Sequence, residues 1–438
     1  MNVGLLTTIL FSILILFLLS GLPVGFSLAG TALILIYWLV GTDSLYLVFT
    51  TAFADWNNYI LIAIPLFVLM ANFLAGSGIA DELYELMYHW MGSLKGGLAM
   101  GTVVICAIFA AMSGVSAAGT VTMGLVALPS MLKRGYDKNI ALGSIAAAGS
   151  LGILIPPSIT MVIYSMLTGQ SVAKLFIGGV IPGIMLAGIF ILYIAIRTYF
   201  QPHLGPSVPK HERLPLAQRM RLIRAVIAPI VLILLVLGVI YTGVATPTEA
   251  SGIGAAGALV ITIANKKFSW RMFKEASRGA LILTAMVGWI VLGAKLFTHI
   301  YTTVGVPAFL AGMIDTLGLN KWLILVMMQL VLLFLGCFID PMGIMMITIP
   351  VFMPLVIQFD FDPIWFGILF TVNMEIGYIT PPFGFNLFYL KGVAPEGITI
   401  NDIIRSIIPF VVLEMAGLAL IVVFPQIALW LPYSMLGK

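Results

Sequence analysis

Two short stretches carry the residues whose types and spacing could do chemistry. Leu151-Gly152-Ile153-Leu154-Ile155-Pro156-Pro157 and Ile376-Gly377-Tyr378-Ile379-Thr380-Pro381-Pro382 share a Gly-x-x-x-Pro-Pro pattern inside apolar sequence. Neither can run as a continuous helix. Each Pro lacks an N–H and clashes with the preceding turn. The residue before it is pushed towards extended geometry. Carbonyls freed at such a break are costly in hydrocarbon unless protein, water or an ion satisfies them. Carbonyl and hydroxyl oxygens at a break suit a hard cation such as Na⁺, and a half-helix N-terminus suits an anion.

Each break has a small or polar segment upstream. The first is Met112-Ser113-Gly114-Val115-Ser116-Ala117-Ala118-Gly119-Thr120; the second is Gly336-Cys337-Phe338-Ile339-Asp340-Pro341-Met342-Gly343. Both interrupt apolar runs too short on either side to cross a bilayer. Each is expected to be the tip of a helical hairpin that enters the membrane and turns back. Two tips facing two breaks would enclose a pocket near the midplane. Plainer roles compete. Gly114, Ala117 and Gly119 could serve only close helix packing, and a Pro-Pro pair could be a simple kink. Asp340 is an ionisable group in an apolar run, a functional candidate, or it caps the helix after Pro341. Glu375 either faces a water-filled cavity or pairs with Lys391. Asn72, Asn373 and Asn386 bind substrate or bridge helices. Glu249 reads as a capping-box acid, Lys295 as a snorkelling cation, and residues 81–89 as an interfacial amphipathic helix.

The elements that must position these groups are membrane helices. The chain has 438 residues, 61% hydrophobic and 9% charged, against about 25% charged in a soluble domain. Apolar runs at 2–20, 22–40, 177–196, 225–244, 322–339 and 407–431 approach the roughly 20 residues a spanning helix needs. Strand alternation is absent, which argues against a β-barrel. The start lacks a basic n-region and reads as a retained span rather than a signal peptide. Cys106 and Cys337 give no disulfide framework. His89, His203, His211 and His299 are scattered, so no metal centre is expected, and no nucleic-acid motif appears.

The two breaks belong to a repeat. The interval from Pro156 to Pro381 also separates Pro129 from Pro354 and Asp137 from Asp362. Such matching at one offset marks an internal duplication. Lys133, Arg134 and Lys138 follow Pro129, whereas the segment after Pro354 holds no basic residue. Basic loops favour the cytoplasm, so the halves are expected to be inverted. The linker carries Arg197, Lys210, Arg213, Arg219, Arg221 and Arg224 and is expected on the same side. Thr246-Pro247-Thr248-Glu249 reads as a capping box with Pro at the first helical position. No paired carboxylate or Ser/His constellation points to an enzyme.

Together these residues resemble the large membrane subunit of tripartite ATP-independent periplasmic (TRAP) transporters, over essentially the whole chain. The landmarks are Ile64-Pro65-Leu66-Phe67, Ser77-Gly78-Ile79-Ala80, Gly96-Gly97-Leu98-Ala99, Leu128-Pro129, Arg134-Gly135-Tyr136, 152–158 and 377–384. The resemblance implies an all-α polytopic membrane protein, an inverted-repeat elevator-type secondary transporter with two re-entrant hairpins and two broken helices. It implies Na⁺-coupled uptake of an organic anion such as a C4-dicarboxylate, 2-oxo acid or sialic acid. The partners implied are a periplasmic substrate-binding protein and a small four-helix membrane subunit, here a separate chain. A stand-alone divalent-anion:Na⁺ carrier is the second reading. By matching motif, the first Na⁺ site would use Ser113, Gly152, Ile155 and Pro156; the second would use Gly336, Gly377 and Thr380. Ser116, Asp340 and Asn386 are candidates for the substrate pocket. The family often carries Gly-Ser-Ser at the first tip, so the hydroxyl ligand is open between Ser113 and Ser116. The organisation implied is scaffold spans over 1–58, a first repeat over 59–200 and a cytoplasmic linker over 201–224. Scaffold and interfacial segments follow over 225–280, then a second repeat over 281–405 and a C-terminal span over 406–438.

Overall fold

A computed structural model describes residues 3–209, 212–316 and 318–437. Lys210 of the basic linker and His211 lie outside the described residues, as do Met1, Asn2, Leu317 and Lys438. Among the described residues every regular element is helical. Among the described residues six helices are long and apolar enough to cross a bilayer: Tyr59–Gly76, Val172–Phe200, Pro247–Ala264, Trp270–Thr303, Pro341–Gln358 and Ile400–Val423. Large apolar side chains such as Leu16, Phe53, Leu125, Ile184, Leu234 and Leu281 are more than half exposed. Water would penalise that surface and lipid does not. The chain is a multi-pass membrane protein.

The repeat is visible helix by helix. In the first half, Gly97–Ser113 turns through Gly114 into Ser116–Lys133, and Lys138–Ser150 follows. In the second, Lys321–Gly336 turns into Pro341–Gln358, and Pro363–Ile379 follows. Pro129 and Pro354 both sit inside the returning helix. Asp137 and Asp362 are both N-caps. Asp137 accepts from the N–H groups of Asn139 and Ile140 at 2.9 and 3.2 Å. Asp362 accepts from those of Ile364 and Trp365 at 2.8 and 3.0 Å. Each such cap is worth about 1 kcal/mol. Both breaks stop a helix, as the prolines require. After the break the chain resumes as Ile159–Thr168 in the first half and Phe385–Val393 in the second.

The halves interlock. Helix Ile400–Val423 packs on Lys138–Ser150 of the first half as well as on Pro363–Ile379 of its own. Helix Phe385–Val393 packs on Ser116–Lys133 and Lys138–Ser150. Outside this core, Val24–Leu39 lies along Trp270–Thr303, and Ala63–Gly76 along Pro247–Ala264. Small residues let these backbones touch: a Cβ on Gly293 would fall 2.3 Å from the Gly25 carbonyl oxygen. Thr246 and Glu249 form the expected capping box.

The apolar run 407–431 is not one span. The helix starts at Ile400, ends at Val423, and a new helix begins at Gln426. Pro425 explains the stop, because it pushes Phe424 to φ −122°, ψ 77°, out of helical geometry. The linker folds back on the base of the first hairpin. Val208 N–H donates to Gly92 O at 2.7 Å and Gly96 N–H to Gly205 O at 2.8 Å. The amphipathic helix is Ile79–Met91, with Leu83 and Leu86 buried. From it the Tyr88 hydroxyl donates to Glu212 at 2.7 Å, which also pairs with Arg134 at 2.9 Å. Burial first, and the carboxylate beside it second, push the Tyr88 phenol up to about 12.

Candidate functional site

Each hairpin tip meets the break of its own half, and backbone meets backbone. At the first, a Cβ on Gly152 would lie 2.8 Å from the Val115 carbonyl and 2.9 Å from Ser116 Cα. A Cβ on Gly114, which turns the tip at φ +62°, would lie 2.3 Å from Pro157 O. At the second, a Cβ on Gly377 would lie 2.9 Å from Gly336 Cα. The Phe383 N–H donates to Cys337 O at 3.2 Å, closing the tip on the chain after the break. Both Pro-Pro bonds are cis.

The structure thus gathers the residues singled out in the sequence into two clusters. Ser113 is buried, and its hydroxyl donates to Val115 O at 3.3 Å within the tip. Gly152 touches that tip, and Ile155 and Pro156 follow within one turn. In the second cluster, Gly336 touches Gly377, and the Thr380 hydroxyl donates to Ile376 O at 2.6 Å. A hydroxyl that gives its hydrogen to a carbonyl keeps its lone pairs. Ser113 and Thr380 therefore remain competent as cation ligands beside carbonyl oxygens.

Ser116 and Asn386 also come together, from opposite halves of the chain. The Ser116 hydroxyl donates to Asn386 Oδ1 at 2.7 Å, and Asn386 Nδ2 donates to Ala146 O at 3.0 Å. Both side chains are fully buried, so the first tip, the first broken helix and a helix of the second half are tied at one point. Three helix N-termini meet here, at Ser116, Ile159 and Phe385, since the Gly114 turn abuts Ile159 N as well. Their positive ends favour a negative group. Asp340 caps helix Pro341–Gln358, accepting from Met342 and Gly343 N–H at 3.0 and 3.2 Å. Asn373 donates to Gln329 O and Oε1, both at 2.9 Å, and so bridges helices.

The pairing of Glu375 with Lys391 does not occur. Lys391 instead donates to Ile398 O at 2.6 Å, and both carboxyl oxygens of Glu375 are buried without a hydrogen-bond partner. Sequence reasoning also passed over Glu414. It is fully buried on helix Ile400–Val423, 2.9 Å from the Ser150 hydroxyl. Its signal was available, because an acid inside the apolar run 407–431 is a functional candidate. Among the described residues no cluster of three or more His, Cys, Asp or Glu could hold a metal ion, and both cysteines are free.

This arrangement is the fold of a multi-pass helical membrane protein. A crystal structure of the Alcanivorax borkumensis YdaH transporter superposes with a TM-score of 0.62, covering 90% of each chain at 14% identity. At that identity the likeness establishes the fold alone. Sequence goes further. The family model for the DctM component of tripartite ATP-independent periplasmic transporters matches residues 11–427, and the chain belongs to that family. It is 36% identical over 412 residues to the C4-dicarboxylate TRAP transporter large permease protein DctM of Pseudomonas aeruginosa, covering 92% of this chain and 93% of the relative. It is 30% identical over 437 residues to the ectoine TRAP transporter large permease protein TeaC of Halomonas elongata, covering 97% and 98%. The chain is a transporter permease component and not an enzyme.

Proposed function

We propose that this chain carries an organic carboxylate across the bacterial inner membrane in symport with Na⁺. The substrate class is a C4-dicarboxylate, 2-oxo acid or sialic acid. A periplasmic binding protein delivers it, and a separate small four-helix subunit braces the permease. The observation that carries the reading is the double seating of hairpin tip on helix break. One cluster (Ser113, Gly152, Ile155, Pro156) and the other (Gly336, Gly377, Thr380) each present carbonyl and hydroxyl oxygens and no carboxylate. That donor set suits a monovalent hard cation released every cycle. The helix N-termini around Ser116 and Asn386 supply the complementary attraction for an anion. Asp340, bound to its own helix end, is the weaker pocket candidate. Inverted halves, with both tips re-entrant, would let one unit move against the scaffold as an elevator.

The test is uptake into proteoliposomes holding this chain with its small subunit, with loaded binding protein outside. Uptake should require inward Na⁺. Undiminished uptake with K⁺ in place of Na⁺ would end the coupling claim. Uptake by this chain alone, with free substrate, would favour the stand-alone carrier.

A further inference from the structure

The duplication lets one half serve as a reference for the other. A groove runs along the first helix of each hairpin at matching positions. Val104 and Ile108 line the groove on Gly97–Ser113, and Gln329 and Leu333 line the groove on Lys321–Gly336. The interval between them is that between the two breaks. The first groove is lined by aliphatic residues throughout. The second, of about 240 Å³, is lined by apolar residues except for Gln329 and Asn373. Asn373 lies on helix Pro363–Ile379, at the position that Ala148 holds in the first half. A hairpin of this build therefore packs without either amide.

Hydrogen bonds fix how both amides point. The Gln329 backbone carbonyl can only accept, so the Asn373 group 2.9 Å from it is the NH₂. The same NH₂ lies 2.9 Å from the Gln329 side chain, whose nearer atom is then Oε1. One acceptor, Asn373 Oδ1, and one donor, Gln329 Nε2, are left buried without a hydrogen-bond partner. Gln329 is 8% exposed and Asn373 1%. Polar atoms left unpaired in hydrocarbon are costly. A buried water makes about three hydrogen bonds, more than this otherwise apolar groove offers. No charged residue lines it, so an ion has no counterpart there. Its rim faces lipid, since Val326, Leu330 and Met415 are about half exposed. Gln329 stands eight residues along its helix from Lys321, about 12 Å at roughly 1.5 Å per residue. Lys321 and Trp322 mark the membrane interface at that end, so the amides lie deeper than phospholipid headgroups.

We propose that this groove binds an uncharged membrane alcohol, a narrow apolar chain carrying one hydroxyl. The hydroxyl donates to Asn373 Oδ1 and accepts from Gln329 Nε2, the two free atoms of one hydrogen-bonded amide pair. The chain lies along Leu330 and Met415 towards the lipid. The volume is below the roughly 300–1,000 Å³ of drug-sized pockets, which limits the occupant to a single chain. Ile376 lines the same groove, one residue before Gly377. The occupant therefore braces the first helix of the second hairpin against the second broken helix. The site is separate from the proposed Na⁺ clusters, and its test does not depend on transport.

The test is photolabelling of the full chain in phosphatidylcholine nanodiscs with a diazirine-bearing octanol, the labelled peptides being mapped by mass spectrometry. Label should fall on residues 325–333 and 415–423, which line the groove. Octanol should compete for it. Octyl methyl ether accepts a hydrogen bond but cannot donate one, and should compete about tenfold less well. The double variant Gln329→Val, Asn373→Ala gives the second groove the residues of the first and should lose that discrimination. The first half packs with those residues, so the variant should fold, and thermal unfolding checks it. If it does not fold, Asn373→Ala alone removes the acceptor and should also abolish the discrimination. Equal competition by alcohol and ether in wild type would overturn the proposal, as would discrimination that persists in a folded variant. Label spread equally over the groove around Val104 and Ile108 would reduce the signal to partition into lipid. Absence of label from both segments would leave water as the occupant and end the proposal.

Discussion

The contact between Gly336 and Gly377 offers the sharpest test of the proposed ion site. Gly377→Ala would place a Cβ 2.9 Å from Gly336 Cα, 3.0 Å from its carbonyl oxygen and 3.1 Å from its carbonyl carbon. Ordinary contact begins at 3.4 Å, so the tip must retreat until that gap is restored. All three obstructing atoms are backbone, and no side-chain rotation relieves them. Overpacking of this kind costs about 1–3 kcal/mol. Alanine in a helix returns about 1 kcal/mol relative to glycine. The net loss is then up to about 2 kcal/mol, or roughly 30-fold in an equilibrium constant. If Gly336 and Gly377 flank a Na⁺, most of that loss should fall on ion affinity, because the displaced carbonyls are ligands. The assay is the Na⁺ activation curve of uptake, with thermal unfolding alongside. Gly188→Ala, whose Cβ meets nothing within 4 Å, is the control and should leave both unchanged or slightly raise stability. A Gly377→Ala protein with wild-type Na⁺ activation and an unshifted melting point would refute the reasoning.

Thr380→Ala and Ser113→Ala should each weaken Na⁺ activation while leaving the protein folded; unaltered curves for both would remove the hydroxyls from the site. Ser116→Ala removes the donor to Asn386 and leaves its buried Oδ1 unpaired, so thermal unfolding should show a loss of about 1–3 kcal/mol. A cycle with Asn386→Ala should then show coupling of about 0.5–3 kcal/mol, and strict additivity would deny the bond. The Tyr88 phenol titrates at about 12 in the folded protein, above its unfolded value of about 10. Its contribution to stability is therefore complete below about pH 10 and fades as pH rises through 12. In a spectrophotometric titration, Tyr88→Phe should delete a tyrosine ionising near 12 and leave the lower-pH part of the curve in place.

What could be read from the sequence was what the backbone itself dictates. Proline cannot sit inside a helix without consequence, so both breaks were legible, and a shared offset carried that information from one half to the other. Asp137 and Asp362 announced their helices by the same local logic, as did Thr246 and Glu249. What could not be read depends on which helices become neighbours. The bond from Ser116 to Asn386 joins one half of the chain to the other, and nothing local at either end specifies it. Glu375 is buried, but Lys391, close along the chain, is not its partner: it lies beyond the break and turns to Ile398 O. Glu414, which meets the Ser150 hydroxyl, arrives on a helix that the apolar run 407–431 placed several residues too late. Hydropathy locates that run but not its stop, which Phe424 and Pro425 set.

The seating of each tip is written in glycine, and that limits what variation can do there. Where two backbones touch, a side chain cannot be exchanged for a better one; any addition separates them. The tips of the two hairpins therefore offer little material for adapting the protein to a different cargo. With the proposed pocket at Ser116 and Asn386, a permease of this build that acquires a new substrate would take its selectivity from those flanks, where side chains remain to vary. Coupling and choice of cargo would then change independently of each other.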